Sequence, residues 1–238
     1  MPNRHIIKRF DEELTELKEH VLAMGGLVEK ALKRSMNALI KQDPKRAIKV
    51  IERDKAINAL EIQIDEMTRT ILALRQPAAG DLRLVISTIK IVTDLERMGD
   101  LAEDIAEQML KSRDHPLIHL TSLHALAEQT AIQLSQALDA FARGDIDSAM
   151  HVIENSQKSK DLFNSMQREN LTYMLEDPRE ISSGMIIFAI GRALIRISDH
   201  ATNIAEMVIY MIKGHDIRHV DHETAAALIS GELVDDDV

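Results

Sequence analysis

The chain has 238 residues, 45% of them apolar, enough for one large domain or two of about 110 residues each, with a real core. A formal charge of −10, six Phe and Tyr residues together and no tryptophan exclude nucleic acid as a partner, because phosphate backbones require a basic face and single strands require stacking platforms. The absence of cysteine removes disulfides, thiolate zinc sites and iron–sulfur clusters, and fits a reducing compartment.

Helical periodicity runs through the whole sequence, and Gly, Pro and β-branched alternation are scarce, so the expectation is an all-α protein. The opening segment MPNRHIIKRFDEEL has no apolar signal region, and the first helix is expected over 5–41. Gly25 and Gly26 lie inside it at a cost near 1 kcal/mol each relative to alanine, and close approach of a neighbouring helix is the ordinary reason for such a pair. QDPKR ends this helix and starts the second, over 43–74, with Asp43 as N-cap and Pro44 at the first helical position. RQPAAGD breaks the chain at Pro77 before a third helix over 79–112, and RDHPL breaks it at Pro116 before a fourth over 117–142.

Gly144 is the αL residue ending that helix, and Asp145 caps a fifth over 145–175. EDPRE breaks at Pro178, and a sixth helix follows over 179–213. Its richest apolar run, ISSGMIIFAIG, is cut by Arg192 far short of the roughly 20 residues of a membrane span, so no direct insertion is expected. After Gly214 the tail HDIRHVDHETAAALISGELVDDDV loses periodicity, and its His215, His219 and His222 read as solvated histidines rather than ligands.

Short links between helices of about 30 residues force antiparallel neighbours. QDPKRAIKVIERDKAINALE and GDIDSAMHVIENSQKSKDLF share a pattern at an offset of 102, and LERMGDLAEDIAE and LIRISDHATNIAE share seven of thirteen residues at an offset of 99. Two copies of one unit follow: two tandem three-helix bundles, over 1–114 and 115–214, with a tail over 215–238.

The third helix carries a burden that needs explaining. Between 93 and 107, Asp94, Glu96, Asp100, Glu103, Asp104 and Glu107 face one cation, Arg97. Like charges three or four residues apart each cost a few tenths of a kcal/mol. Ile91, Leu95, Met98, Ala102, Ile105 and Met109 form the core stripe, and Glu96, Asp100, Glu103 and Glu107 run beside it on the border of the buried face. The second helix offers Asp54, Glu61 and Asp65 on one face. Two readings fit: a solvated acidic face, or an all-oxygen ligand set for a hard cation such as Mg²⁺, Ca²⁺, Mn²⁺ or ferric iron. No Glu-x-x-His pair, P-loop, G-x-S-x-G or H-E-x-x-H occurs, and no nucleophile or general base stands out, so an enzyme using these carboxylates as a phosphohydrolase or oxidase is the alternative rather than the leading reading.

FDEELTELKEHVLAMGGLVE, RQPAAGDLR, DLERMGD, LTYMLED, DHATNIAE and KGHDIRHV, in this order and spacing over about 5–222, resemble the PhoU family of bacterial phosphate-uptake accessory and regulatory proteins. The resemblance implies two three-helix bundles related by a pseudo-twofold, and a cytoplasmic homodimer held near the membrane only through partners. Those partners would be the ATPase of a phosphate ABC transporter and a membrane histidine kinase, with the protein restraining the phosphate-starvation response and catalysing nothing. It further implies a divalent or ferric metal (iron, manganese, magnesium or zinc) on a repeated Glu/Asp-x-x-x-Asp pattern. Carried over residue by residue, Glu96, Asp100, Asp54 and Asp65 would be ligands in the first repeat, with Glu61, Glu103 and Asp104 close by. The second repeat departs from the pattern: Glu96 becomes Ile195, Asp54 becomes Ser156, Glu61 becomes Phe163 and Asp65 becomes Gln167. Asp199, His200 and Asn203 would remain as a weak or empty site.

Overall fold

The structure, a computed structural model, describes residues 2–112 and 115–218, together with 224 and 228. His219, His222 and the acidic end of the tail lie outside the described residues. Among those described, long helices carry the chain: α1 (Pro2–Ile40), α2 (Pro44–Arg75), α3 (Ala79–Lys111), α4 (Thr121–Arg143), α5 (Ile146–Glu154), α6 (Ser156–Glu176) and α7 (Ile181–Lys213), with a 3₁₀ turn at Pro178–Glu180 before the last.

The punctuation acts as expected. Asp43 accepts hydrogen bonds from the backbone N–H groups of Lys45 and Arg46, and Asp145, 102 residues on, accepts from Asp147 and Ser148, so both copies of the unit start their second helix on the same cap. Gly144 and Gly214 close α4 and α7 in the left-handed region, at φ 64° and 88°.

α1, α2 and α3 pack on one another, and α4 packs with α5, α6 and α7, giving two up-down bundles. The first core is filled by residues such as Leu17, Met24, Ile57, Ile64, Leu95 and Met98, all with 2% exposure or less, and the second by Leu134, Phe141, Leu194 and Ile204. The bundles share one continuous core because α3 lies along α7 and α1 touches α4. A Cβ on Gly25 would fall 2.5 Å from Leu138 Cδ2 on α4, so this glycine does permit a close helix approach, whereas a Cβ on Gly26 would meet nothing within 4 Å.

Two expectations are corrected. The fourth helix starts at Thr121 rather than 117, because Leu117–Leu120 run without helical structure after Pro116. The single helix expected over 145–175 is broken at Asn155 into α5 and α6. There the Asn155 side chain donates from Nδ2 to the carbonyl of His151 at 2.8 Å, and Gln133 Nε2 reaches the carbonyl of Val152 at 3.5 Å. The His151 carbonyl also keeps its bond from the Asn155 backbone N–H, and the Val152 carbonyl is reached by a side chain from α4. The segment around α7 is long and apolar enough to cross a membrane by length and composition, but half of its richest window is buried against α3, α4, α5 and α6, as a core helix requires.

Candidate metal centre

α2 and α3 run antiparallel, so residues descending one helix meet residues ascending the other. At mid-length Asp54 on α2 meets Asp100 and Glu103 on α3, and one oxygen from each carboxylate lies within 4.8 Å of the others. Asp54 is buried, 7% exposed, while Asp100 and Glu103 are half-buried. Gly99 makes the room: a Cβ there would stand 3.1 Å from Asp54 Oδ1 and 3.0 Å from Ile57 Cδ1.

Asp54 is only half satisfied. Its Oδ2 accepts from Asn58 Nδ2 at 2.9 Å, but among the described residues its Oδ1 has no hydrogen-bond partner, and neither does Asn58 Oδ1. Buried carboxylate oxygens without partners are rare and costly. Burial pushes the Asp54 carboxyl above the usual range and Asp100 pushes it further, against the Asn58 amide. Glu103 is raised by burial and then by Asp54, Glu107 and Asp100.

One to two turns along, Glu61 and Glu96 continue the row. Glu96 is raised by burial, then by Asp100 and Glu61, and Glu61 by burial, then by Asp65 and Asp100. Arg97 sits 3.5 Å from Glu96 and 3.8 Å from Asp100 as their local counter-charge. Five groups on two helices, Asp104 among them, are therefore held toward the protonated form. A hard cation would reverse that bias, and the donor set of carboxylate oxygens with one orphaned oxygen at its centre fits such an ion.

Of the expected ligands, Asp54 and Asp100 meet, and Glu103, expected only nearby, completes the three. Asp65 does not join them. It shares a face with Asp54 but stands eleven residues along α2, about 16 Å at helical rise, and is exposed beside Glu61. Asp104 is likewise exposed, one position off the facing stripe.

The second bundle is built differently at the same level. Asp199 is exposed, faces no carboxylate at the positions matching Asp54 and Glu61, and is raised by burial against the opposing charges of Lys160, His200 and Arg196. His200 and Asn203 both meet Asp94: His200 Nδ1 lies 2.7 Å from Asp94 Oδ1, and Asn203 Nδ2 donates to the same oxygen at 3.2 Å. Both belong to the seam between α3 and α7. Correspondence between the repeats named them as remnants of a site without saying which neighbour they would meet.

Several contributors were not foreseen. Asn58 and Gly99 hold Asp54. Fully buried Gln133 accepts on one oxygen from Ser159 and from Ser198, each at 2.5 Å, where the first bundle has Ile57 and Gly99. Glu206 lines a cavity of about 500 Å³ between α3 and α7, and burial pushes its carboxyl up to about 7. The sequence signal for Glu206 was its register with Glu107 in the repeated IAE.

This molecule is thus a duplicated helical bundle with a cluster of facing carboxylates in one copy. A family model described as the PhoU domain matches it twice, over residues 21–109 and 123–208. The chain is 43% identical to the phosphate-specific transport system accessory protein PhoU homolog of Pseudomonas putida over 98% of its own length and 91% of that protein, and 39% identical to PhoU of Escherichia coli K12 over 97% and 96%. It superposes on the crystal structure of PhoU from Pseudomonas aeruginosa with a TM-score of 0.84 at 44% identity, covering 87% of this chain and all of that one. PhoU from Streptococcus pneumoniae gives a TM-score of 0.81 at 29% identity, covering 87% of this chain and 98% of that one. The chain belongs to the PhoU family.

Proposed function

We propose that this protein is an accessory regulator of phosphate-specific transport: a cytoplasmic, dimeric, non-catalytic adaptor that meets the transporter ATPase and a membrane histidine kinase and restrains the phosphate-starvation response. The names of its relatives as transport-system accessory proteins support the link to transport, and the regulatory step is our reading of the family resemblance. Asp54, Asp100 and Glu103 hold a divalent or ferric cation in the first bundle, with Glu61 and Glu96 extending the set toward a further ion and Arg97 balancing what remains. Bound there, the ion supplies positive charge that lets carboxylates from α2 and α3 stay ionised side by side.

The observation that carries the metal reading is the buried Asp54, whose Oδ1 has no hydrogen-bond partner among the described residues while a carboxylate oxygen of Asp54 lies within 4.8 Å of oxygens from Asp100 and Glu103. Two measurements test the whole. Elemental analysis of protein purified without chelator should find metal that is lost in Asp54→Asn. In cells, deletion should give alkaline phosphatase expression at high phosphate, and the purified protein should capture the transporter ATPase and the kinase, with chelation weakening capture. Metal-free wild-type protein overturns the cation reading, and normal repression in the deletion strain overturns the regulatory one.

A further inference from the structure

The crevice where α3 lies along α7 holds polar groups that the first-bundle carboxylates do not use. Asp94 on α3 is occupied there, taking His200 Nδ1 and Asn203 Nδ2 from α7 on one oxygen. Beside this pair opens the cavity of about 500 Å³, a size ordinary for a small-molecule site, with Ile89 and Met207 in its lining. Lys90 from α3, Glu206 from α7 and Arg218 from the segment after α7 line it from three parts of the chain.

These three groups have bonding capacity to spare. Half-buried Glu206 has no hydrogen bond or ion pair among the described residues, an unfavourable state for a carboxyl partly removed from water. Lys90 has no ion pair among them either, and its ammonium lies 5.8 Å from the Tyr210 ring centroid. Arg218 gives Nε–H and one Nη2–H to Asp216, which leaves the other guanidinium hydrogens free to donate. A fully ionised dianion in this cavity would be drawn by the two cations and repelled by an ionised Glu206, and a metal cation would meet the reverse. An oxyanion that keeps a proton of its own satisfies all three.

We propose that this crevice binds a phosphate group that carries a proton, as free orthophosphate or a small phosphate monoester, with Lys90 and Arg218 holding its charge and Glu206 exchanging a hydrogen bond with its hydroxyl. Phosphate monoesters lose their second proton at about 6. Burial lifts Glu206 to about 7, into the same range, with Arg218 opposing and Asp216 and Asp94 adding to the rise. The charged and titratable groups around it are Lys90 and Asp94 on α3, His200 and Tyr210 on α7, and Asp216 and Arg218 beyond. One shared proton serves in either place: a protonated Glu206 donates to a phosphate oxygen, or an ionised Glu206 accepts from the phosphate hydroxyl. Sulfate, fully ionised at neutral pH, can use only the first arrangement.

The internal repeat does not supply a second crevice of this kind. At the offset of 99, Ala189 stands for Lys90, Ala193 for Asp94 and Asp104 for Asn203, so one site per chain is expected. Such a site would let the regulator proposed above read phosphate level directly; that purpose rests on the regulatory reading, whereas binding by the purified chain does not.

Full-length protein is titrated calorimetrically with orthophosphate, glycerol phosphate and sulfate at pH 6 and pH 8, with chelator present so that no metal-held anion contributes. Orthophosphate or the monoester should bind once per chain, the tighter of the two naming the source. At pH 8 that ligand should be preferred over sulfate by at least about tenfold, as expected for one like-charge contact in a partly buried site, and the preference should narrow at pH 6. Lys90→Met should weaken its binding at least about tenfold, as for loss of a charge-assisted hydrogen bond. Glu206→Gln, which donates without ionising, should bring sulfate to within about threefold of phosphate at pH 8. No binding of either phosphate ligand, equal affinity for sulfate in wild type at pH 8, or a preference that survives Glu206→Gln overturns the proposal. Circular dichroism melts check the folding of both variants, and Lys90→Gln replaces a Lys90→Met protein that lacks a helical transition. Should these affinities separate as expected while the deletion strain represses normally, the regulatory reading falls and the site stands.

Discussion

The two bundles solve the same packing problem with opposite polar chemistry. In the first, the level where α2 crosses α3 holds a glycine, a buried carboxylate with an orphaned oxygen and two more acids. In the second, the level where α6 crosses α7 holds two serines on a buried glutamine, a single exposed aspartate and a lysine. One half keeps a buried carboxylate oxygen without a partner among the described residues, and the other joins its buried serines to a glutamine. Duplication therefore does not imply two equal sites: where the first copy has Gly99 and Ile57 against a buried carboxylate, the second has Ser198 and Ser159 on Gln133.

The largest expected effect that would break this contrast is ligand-linked stability. A saturating cation present at a thousandfold over its dissociation constant should raise unfolding free energy by about 4 kcal/mol. Calorimetric melts with added Mn²⁺ should show that shift in wild type and in Asp199→Asn and lose it in Asp54→Asn. Without metal, Asp54→Asn should be neutral or stabilising near pH 7, because it removes a buried, half-satisfied charge. Equal loss of the metal shift in Asp54→Asn and Asp199→Asn would erase the difference between the bundles.

Next in size is the glutamine hub. Gln133→Ala strips partners from the hydroxyls of Ser159 and Ser198 and leaves a void in a fully buried place, a loss of about 3 kcal/mol in urea denaturation. The loss should be the same with and without metal. A metal-dependent loss would mean that the second bundle is not balanced from within.

Much of this was legible in the sequence and some was not, for identifiable reasons. Caps and breakers act over three or four residues, so Asp43, Pro77, Pro116, Asp145, Gly144 and Gly214 fixed the helix ends to within a few residues. The break at Asn155 escaped because no Gly or Pro marks it, and the Val152 carbonyl beside it is met by Gln133 from another helix. Face periodicity found Asp54 and Asp65 alike, since eleven residues return to almost the same angle; only axial distance separates them, and that matters once the facing helix sets the level of the site. The repeat alone named His200 and Asn203 as remnants of a second site, which does not say whether α6 or α3 meets them, and Asp94 on α3 does.

A smaller effect probes the glycine itself. Gly99→Ala gains helix propensity of about 1 kcal/mol but puts a Cβ within 3.1 Å of Asp54 Oδ1 and Ile57 Cδ1 on α2. The net expected loss is about 1–2 kcal/mol by chemical denaturation, with weaker metal binding because Asp54 must move. Unchanged metal affinity would show that the close approach at Gly99 does not position the carboxylate.

The smallest effect separates two copies of one residue. Glu107 and Glu206 occupy the same place in the repeated IAE, yet Glu107 is exposed and 3.9 Å from Lys111, whereas Glu206 lines the cavity between α3 and α7. Burial raises Glu206 to about 7; Arg218 opposes this, and Asp216 and Asp94 add to it. Lys90 and Asn203 line the same cavity, and His200 lies beside it on Asp94. With a folded value of about 7 and an unfolded value near 4.5, the native state binds more protons than the unfolded one between those pH values, so stability contributed by this group falls as pH rises through that window. Glu206→Gln removes the penalty and should leave stability at pH 5 nearly unchanged while raising it at pH 8 by about 1 kcal/mol, a figure reduced for partial solvent screening. Glu107→Gln, at an exposed position beside Lys111, should change stability by less than about 0.5 kcal/mol. Urea denaturation of both variants at the two pH values makes the comparison, and a gain for Glu206→Gln at pH 5 as large as at pH 8 would mean that packing, rather than the buried charge, distinguishes the seam.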